Sequence, residues 1–470
     1  MIPRAQRLPA IVAAILAAAC DNGALPPPPP PVRAASIALV PESASVFAGD
    51  SLQITATPRS ADSLDLTGLP LTWTSRNPGI ATVTSSGLVR GINAGVDTIV
   101  VTADSATASA TITVTPVVLQ SVSAGADHSC ALANNGAIYC WGYDFYGQAG
   151  VGFYSALIGT PFPVATSLRF TTLSAGGDHT CALASGGAAH CWGQGGAGEL
   201  GGGPPTGTRN IPGAVATSNT FVSITSGGAH TCAIAADSLA YCWGANTNGQ
   251  LGDDSAGGSA RPQAVAGGLR FGAITAGDTH TCALASDGTA YCWGANARGE
   301  LGDSTTTTRP TPTHVGLDTT YAFAAIAAGG FHTCAIAAGG AAYCWGAGAR
   351  GQLGIGTTDS ATTPAAVTGG LRFLAITAGE AFSCGIGTDS LAYCWGANDA
   401  GQLGDSSTTE RHAPVAVHGG LHFATIEAGG RHVCAVTVDS VAYCWGNGTE
   451  GELGDNHATT STIPVRVAGQ

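Results

Sequence analysis

The stretch HTCALASDGTAYCWG, residues 280–294, places Cys282 and Cys292 ten positions apart on either side of a Ser-Asp-Gly sequence. Both flanks are short and rich in strand-forming residues, and a three-residue turn that ends in Gly is typical of a β-hairpin. A turn at residues 286–288 sets the two cysteines directly opposite each other on neighbouring strands. The stretch therefore predicts an antiparallel hairpin with its cysteines side by side.

Near copies of this hairpin recur along the chain, and the first cysteines of successive copies lie 50 to 52 residues apart. A period of that length indicates a propeller or a solenoid. Each copy contains four strand-like segments, for example FGAITAG, HTCALA, AYCWG and PTHV, and shows no helical periodicity. Residues 117–470 are therefore predicted to form an all-β propeller of seven four-stranded blades.

The cysteine count gives a second constraint, because 14 of the 15 cysteines fall in these hairpins. Ten positions across a hairpin is the wrong spacing for a zinc knuckle, and the redox motif C-x-x-C is absent. Directly opposed strand residues lie within reach of a disulfide when they form the closer, non-hydrogen-bonded kind of pair. We therefore predict one disulfide in each blade. The predicted pairs are Cys130–Cys140, Cys181–Cys191, Cys232–Cys242, Cys282–Cys292, Cys334–Cys344, Cys384–Cys394 and Cys434–Cys444.

Other recurring residues have a structural and a functional interpretation. The tryptophan that ends each hairpin, Trp293 in this copy, is interpreted as core between blades and not as an aromatic ligand box. His280 recurs two positions before the first cysteine, except that the sixth copy has Phe382. A metal or catalytic ring of histidines is the alternative, but a position that accepts Phe favours partly buried imidazoles bonded to the backbone. The G-[QE]-L-G sequence after the hairpin predicts a turn and a core leucine, and the first copy has Ala149 in place of the leucine.

The repeat AGxxHTCALxxxGxxYCWGxNxxGQLG resembles the regulator of chromosome condensation repeat, and the resemblance covers about three quarters of the chain. A kelch repeat separates its Tyr and Trp, whereas here they flank one cysteine, and no Trp-Asp dipeptide indicates WD repeats. The resemblance implies a seven-bladed β-propeller. The founding member of the family exchanges nucleotide on a small GTPase, but a fold supports many functions, and no exchange residue is carried over.

Residues 1–20 have the pattern of an export signal, since Arg4 and Arg7 precede an apolar run that is too short to span a bilayer. LAAAC, ending at Cys20, resembles a bacterial lipoprotein signal in which the cysteine carries lipid. Ala17 departs from the leucine that this pattern prefers, and ordinary signal cleavage is the alternative. Cys20 is the one cysteine without a predicted partner, which favours lipidation. Residues 21–35 form a linker whose six consecutive prolines predict a stiff spacer.

Residues 36–116 alternate polar and apolar positions in short segments rich in Val, Ile and Thr. This pattern predicts an antiparallel β-sandwich, with Trp73 as its centre. Residues 71–101, LTWTSRNPGIATVTSSGLVRGINAGVDTIVV, resemble the bacterial Ig-like domain of group 2. Modules of that family serve mainly as spacers on surface proteins, and adhesion is the alternative role.

Charge excludes several classes of function. The formal net charge is −13, and all 17 basic residues are arginine. The chain therefore lacks the basic surface of a nucleic-acid-binding protein and cannot use lysine chemistry. We expect no nucleic-acid partner, no cofactor, and membrane contact only through lipid on Cys20.

The segments that follow G-x-L-G differ most between the copies and are rich in Ser, Thr, Gly and Asp. Asp253, Asp303, Asp405 and Asp455 begin four of them, either in solvated turns or as an adaptable polar rim. No nucleophile–base pair, metal spacing or unrepeated carboxylate pair indicates an enzyme.

We therefore predict a monomeric, exported binding or scaffold protein that recognises a protein or glycan through its propeller loops. It is expected to be a membrane-anchored lipoprotein at the cell surface or in the periplasm, or else a secreted protein. A secreted inhibitor or regulator that acts by protein–protein contact is the alternative. A GTPase exchange factor and a polysaccharide-active enzyme are less favoured.

Overall fold

The computed structural model of the chain describes residues 32–204, 207–316 and 322–469. The chain divides into two compact units between Pro116 and Val117. The predicted signal, Cys20 and most of the linker lie outside the described residues. Within the described part, no helix is long and apolar enough to cross a membrane.

The first unit is a small β-sandwich. Its strands are β1 Ser36–Val40, β2 Ser43–Phe47, β3 Ser51–Gln53, β4 Thr55–Arg59, β5 Thr72–Ser75, β6 Ala81–Val83, β7 Leu88–Gly91, β8 Gly95–Ala103 and β9 Ala106–Thr115. One sheet has the order β2-β9-β8-β5, a second has the order β3-β7-β6, and β1 pairs with β4. The prediction of a sandwich is confirmed, but β2 and β9 run parallel, so the sheets are not purely antiparallel.

The core of this unit differs from the prediction in one respect. Ile54, Ile99 and Ile112 are fully buried and form its centre, whereas Trp73 is only half-buried and packs against that centre from the side. The tryptophan ring closes over Gly87, where an added Cβ would lie 2.8 Å from Cζ2 of Trp73 and 2.5 Å from the carbonyl oxygen of Ile54. Gly87 also has a φ of +81°, so both space and backbone conformation require glycine there.

The second unit is a ring of seven blades, each built from four consecutive antiparallel strands. Blades one to three contain β10 Leu119–Ala124, β11 His128–Ala133, β12 Ile138–Asp144 and β13 Ser155–Pro163; β14 Phe170–Ala175, β15 His179–Ala184, β16 Ala189–Gly193 and β17 Arg209–Ala214; and β18 Phe221–Ser226, β19 His230–Ala235, β20 Ala240–Gly244 and β21 Ser259–Ala264. A 3-10 helix, Ala266–Gly268, precedes the fourth blade.

Blades four and five contain β22 Phe271–Ala276, β23 His280–Ala285, β24 Ala290–Gly294 and β25 Arg309–His314; and β26 Phe323–Ala328, β27 His332–Ala337, β28 Ala342–Gly346 and β29 Ala361–Ala366. Blades six and seven contain β30 Phe373–Ala378, β31 Phe382–Gly387, β32 Ala392–Gly396 and β33 Arg411–Ala416; and β34 Phe423–Ala428, β35 His432–Thr437, β36 Ala442–Gly446 and β37 Ser461–Arg466. The first strand of each blade lines a central channel. The predicted fold class, an Ig-like sandwich followed by a seven-bladed propeller, is confirmed.

The hairpin at residues 280–294 has the predicted register, with Cys282 directly opposite Cys292 on β23 and β24. The two Cα atoms lie 4.1 Å apart, and the sulfur atoms are bonded. The other six pairs are bonded in the same way, with Cα atoms 4.0 to 4.1 Å apart. The structure thus contains one cross-strand disulfide per blade.

The hairpin turns share one conformation although their sequences differ. Gly136, Gly187, Gly288 and Gly340 have positive φ values at the last turn position, as the turn requires. Ser238, Ser390 and Ser440 take the same left-handed conformation, with φ between 63° and 69°. An L-residue pays a steric cost for this conformation that glycine avoids. Three of the seven turns are therefore strained.

Replacing Ser390 with glycine is expected to stabilise the propeller by about 0.5–1 kcal/mol, because glycine adopts the left-handed conformation without a Cβ clash. The midpoint of urea unfolding measures the change. Gly288→Ser in the fourth blade is the matched reverse exchange and is expected to destabilise by a similar amount. Equal midpoints for all three proteins would contradict the assignment of strain.

The ring closes by direct packing of the seventh blade against the first. Strand β37 pairs with β36 of its own blade, so no terminal strand completes the first blade. Instead, Gly430 N donates to Gly125 O at 3.0 Å, and His432 Nε2 lies 2.8 Å from Ser129 Oγ. The junction between the last and first blades therefore has the same kind of contacts as the other junctions that carry a histidine.

Candidate functional site

All seven blades present their variable segments on one face of the propeller. In an antiparallel blade the connection between the first and second strands and the connection between the third and fourth strands lie at the same edge. We call this side the loop face, and the opposite side, which carries hairpin turns such as residues 286–288, the turn face. The variable segments that follow G-x-L-G are therefore concentrated on the loop face.

The repeated histidines, threonines and tryptophans join neighbouring blades in one network. His280 Nε2 lies 2.9 Å from Thr333 Oγ1 of the next blade, and that hydroxyl donates to Glu300 O at 2.9 Å. Trp345 Nε1 donates to the same carbonyl at 2.9 Å. Because the hydroxyl proton is committed to the carbonyl, the imidazole Nε2–H donates to the hydroxyl oxygen. The repeated residues thus bond one blade to the next.

This network excludes the histidines from a metal or catalytic role. Each is at most 1% exposed, and burial lowers the pKa of each imidazole to about 3 or about 4. The members are His128, His179, His230, His280, His332 and His432. They are more deeply buried than predicted, and Nε2 bonds a side-chain hydroxyl and not the backbone. In the described part of the chain, no group of three or more His, Cys, Asp and Glu residues is placed to hold a metal ion.

The sixth and seventh blades replace this polar contact by an apolar one. Phe382 stands at the histidine position, and Val433 stands at the hydroxyl position of the next blade. Both are fully buried in one core cluster. The two exchanges compensate each other, because a phenylalanine needs no acceptor and a valine supplies none.

The same exchange is expected to be cooperative elsewhere in the ring. Thr333→Val alone leaves the buried Nε2–H of His280 without an acceptor and is expected to cost about 1–3 kcal/mol. His280→Phe alone is expected to cost about 1 kcal/mol. The double variant is expected to lose at least about 1 kcal/mol less than the sum of the single variants, as urea unfolding measures. Additive losses would contradict the network.

The G-[QE]-L-G sequence forms the predicted turn and core leucine and also does more. Leu251 is fully buried, and the side-chain Oε1 of Gln250 accepts from Asn248 N at 2.9 Å. An added Cβ on Gly252 would lie 2.6 Å from Trp293 Nε1. Gln250, Leu251 and Gly252 of the repeated sequence therefore all have structural roles.

The aspartates that follow this sequence brace their own loops. Asp303 has a side chain 4% exposed and accepts from Asn296 Nδ2 at 3.1 Å, Thr305 Oγ1 at 2.6 Å and Arg309 Nε at 2.9 Å. Asp405 repeats these contacts, Asp253 accepts from Asn246 and Ser255, and Asp455 accepts from the backbone of His457. Asp303 and Asp405 are thus neither solvated nor available as a polar rim.

The first blade departs from the repeat at Asp144, where three other blades have asparagine and three have glycine. Asp144 Oδ1 accepts from Ala149 N at 2.8 Å, but the buried Oδ2 has no hydrogen-bond partner in the described structure. Asn246, at the same position of the third blade, accepts from Leu251 N and donates to the Ser255 carbonyl. Burial raises the pKa of Asp144 to about 6, against a small opposing effect of the Ala149 hydrogen bond.

Asp144→Asn is expected to stabilise the propeller on the order of 2 kcal/mol at pH 7 and hardly at all at pH 4. The folded protein holds this proton more tightly than the unfolded chain does, so stability is lost as pH rises from about 4 to about 6. Asparagine does not titrate, and the difference between variant and native protein in urea unfolding at several pH values isolates the effect. The reverse exchange, Asn246→Asp, is expected to introduce the same loss of stability as pH rises. If both variants differ from the native protein by an amount that does not depend on pH, the raised pKa of Asp144 is contradicted.

The residues on either side of Asp144 carry three aromatic side chains that no other blade has at these positions. Tyr143, Phe145 and Tyr146 form a cluster in which the ring centroids lie 5.2 to 6.4 Å apart. Phe145 is 60% exposed. The equivalent residues of the fourth blade are Ala295, Ala297 and Arg298. We call Tyr143, Phe145 and Tyr146 the aromatic cluster; the sequence analysis missed it, although aligning the seven units would have revealed it.

The mouth of the central channel lies on the same face and is acidic. The channel has a volume of about 660 Å3 and is lined by Asp127, Asp278, Glu380 and Glu427, with Arg431 as the one basic lining residue among those described. The side chain of Glu427 faces the channel lumen. Desolvation by the surrounding blades raises the pKa of Glu427 to about 7. The loop face thus combines exposed rings with uncompensated carboxylates.

Repeated four-stranded blades around a channel define a seven-bladed β-propeller, here preceded by an Ig-like unit. The chain belongs to the RCC1-like domain family, whose model matches residues 82–372. Models of the regulator of chromosome condensation repeat match residues 389–436 and 423–452, and the bacterial Ig-like domain (group 2) matches residues 33–114. Propellers of this family commonly mediate protein–protein interaction, and the fold is generally non-catalytic.

Three known proteins illustrate the similarity. RCC1 domain-containing protein RUG3, mitochondrial, of Arabidopsis thaliana is 30% identical over 260 residues, which are 53% of this chain and 58% of that protein. Probable E3 ubiquitin-protein ligase HERC6 of Homo sapiens is 29% identical over 139 residues, 29% of this chain and 14% of HERC6. Human WBSCR16 superposes with a TM-score of 0.65 at 18% identity over 71% of this chain and 94% of that one. The chain spans less than two thirds of either curated relative, and the structural match shows the fold alone.

Proposed function

We propose that this chain is an exported binding protein that uses the loop face of its propeller to bind another protein. The aromatic cluster of the first blade is the observation that carries the proposal. Exposed aromatic side chains are enriched at protein interfaces, where they supply much of the binding free energy. Phe145 is more than half exposed, and the repeat shows that the fold does not need it.

The frame beneath the loops suits this role. The seven tryptophans and the seven disulfides are fully buried between blades, so the repeated residues hold the loops in place. A rigid frame lowers the entropy that binding loops lose when a partner docks. An inhibitor or regulator that acts by protein–protein contact is a special case of this function.

Site-specific photo-crosslinking tests the proposal. A benzophenone amino acid replaces Phe145 on the loop face or, as the matched control, Asp287 on the turn face. On cells that express the protein, position 145 is expected to give a discrete protein adduct that an excess of unlabelled protein abolishes, and position 287 is not. Equal adducts at both positions, or adducts that no competitor reduces, would count against the proposal; an oligosaccharide as the saturable ligand would reassign the face to glycan recognition.

We further propose that the protein is tethered through lipid on Cys20, with the proline-rich linker and the Ig-like unit acting as spacers. The support is the lipoprotein-type sequence at that cysteine and the match to the bacterial Ig-like domain. The intact mass of the mature protein tests this. A mass that includes a diacylglyceryl group on Cys20 is expected, and membrane fractionation is expected to lose the protein when Cys20→Ser is made; a soluble, unmodified mature chain would instead indicate secretion.

A further inference from the structure

The aromatic cluster lies beside two acidic residues and is linked to Asp127 by a backbone hydrogen bond and to Asp178 through Gln148. Tyr143 N donates to Asp127 O at 2.9 Å, and Tyr146 N donates to Gln148 Oε1 at 3.0 Å. Gln148 Nε2 in turn lies 3.5 Å from Asp178 Oδ1 on the second blade. The rings and the carboxylates therefore belong to one surface, which spans the first two blades.

These carboxylates lack a cation of their own. Arg431 is close enough to Asp127 to lower its pKa somewhat, but its guanidinium binds Asp399. No ion pair joins Asp178 to any described residue. Burial raises the pKa of Asp127 and of Asp178, and the negative charge of Asp127 raises that of Asp178 further. The surface thus carries negative charge that Arg431, itself paired with Asp399, offsets only in part.

Other blades show which side chains the positions of Tyr146 and Asp178 accommodate. In the fourth blade Arg298 takes the position of Tyr146, and its guanidinium lies 4.0 Å from the ring centre of Phe331, which takes the position of Asp178 in the next blade. A guanidinium over an aromatic ring is attractive because the ring face is negative. The fourth and fifth blades therefore supply both cation and ring, whereas the first and second supply rings and a carboxylate but no cation.

The junction between the seventh and first blades is also acidic. At the same two repeat positions it has Glu450 and Asp127. Two carboxylates at neighbouring positions repel each other, and a bound cation removes that repulsion. Carboxylates thus lie on both sides of the aromatic cluster.

We propose that the aromatic cluster, together with Asp127, Asp178 and Glu450, binds an arginine or lysine side chain from a basic segment of the partner protein. This inference rests on the proposed function and names the chemistry of the ligand. The rings would contact the apolar stem and the charged head, and the carboxylates would neutralise the charge. The protein contains no lysine, so no lysine side chain of its own competes for the site.

A pair of synthetic peptides tests the charge. One is an acetylated, Gly- and Ser-rich peptide with three arginines, and the other has citrulline, which is neutral and of the same shape, in their place. The arginine peptide is expected to bind the purified full chain at least about tenfold more tightly, and its affinity is expected to fall as salt rises from about 0.05 to 0.3 M. Equal affinity for both peptides, or no binding of either, would overturn the inference.

Matched variants test the place. Phe145→Ala and Asp178→Asn are each expected to weaken binding of the arginine peptide about fivefold or more. Asp287→Asn removes the same charge from the turn face and is expected to leave affinity within about twofold. If Asp287→Asn weakens binding as much as Asp178→Asn does, the loss of affinity reflects the net charge of the protein, and the proposed site is wrong.

The experiments distinguish failure of protein binding by the loop face from failure of the site for a cationic side chain. Should crosslinking at position 145 give a saturable protein adduct while the two peptides bind equally, the loop face binds protein but not through a cationic side chain. Should a neutral oligosaccharide bind independently of salt, and should Phe145→Ala abolish that binding, the aromatic cluster binds sugar. The proposed site for a cationic side chain is then wrong. Near-ultraviolet circular dichroism of each variant shows that the fold is retained.

Discussion

Replacing Trp293 with alanine is expected to destabilise the propeller by about 3–5 kcal/mol. The indole is fully buried and shares a core cluster with the disulfide Cys232–Cys242 and Leu251 of the preceding blade. Its Nε1 also donates to Gln250 O at 3.0 Å. Truncation therefore leaves a cavity between two blades and removes a hydrogen bond. Urea unfolding followed by far-ultraviolet circular dichroism measures the loss.

Conservative variants separate packing from hydrogen bonding. Trp293→Phe keeps most of the buried area but removes the indole donor. Trp192→Phe makes the same change in the second blade, where the indole nitrogen has no hydrogen-bond partner among the described residues, so it is expected to cost less by about 1 kcal/mol. Trp73→Ala, in the Ig-like unit, is expected to leave the propeller transition unchanged. A loss below about 1 kcal/mol for Trp293→Ala contradicts a role in the core.

Removing one disulfide by the paired exchange Cys282→Ala and Cys292→Ala is expected to cost about 3 kcal/mol at most. The bond closes a loop of eleven residues, and in the chain-entropy model such a link restricts the unfolded chain by about that amount. Urea unfolding of the oxidised protein measures the shift, and the count of free thiols in denaturant confirms that six bonds remain.

Reduction provides the control for this exchange. After full reduction in denaturant, native protein and variant are expected to unfold at nearly the same urea concentration, because the cross-link that distinguishes them is gone. The folded, oxidised protein is expected to resist reduction, since both sulfur-bearing residues of every pair are fully buried. An unchanged midpoint for the oxidised variant would show that the bond does not contribute to stability.

Much of the fold could be predicted because one hairpin is repeated. The cysteine spacing fixed the register of β23 on β24, and the 50- to 52-residue period indicated blades of four strands. Successive strand residues face opposite sides of a blade, and His280 and Trp293 each reach a different neighbouring blade. Local spacing suffices for such features because hydrogen bonds within one hairpin set them.

Other features could not be derived from local spacing. The hydroxyl that bonds His280 lies 53 residues away on the next blade, so its identity depends on how blades stack. The burial of Asp303 depends on Arg309 and Asn296 folding over it. Trp73 was assigned to a sandwich centre that the structure builds from isoleucines, because strand alternation does not show which inward residue lies deepest.

The sequence by itself determined the number of blades, the hairpin register and the paired cysteines, because these follow from interactions between residues that are close in the chain. Only the tertiary structure decided where unrepeated residues meet. The connections on the loop face bring Tyr146, Asp178 and Asp127 together from different strands and blades. Their proximity arises from the packing of the second blade against the first, and packing between blades is a property of the assembled propeller and not of any one repeat.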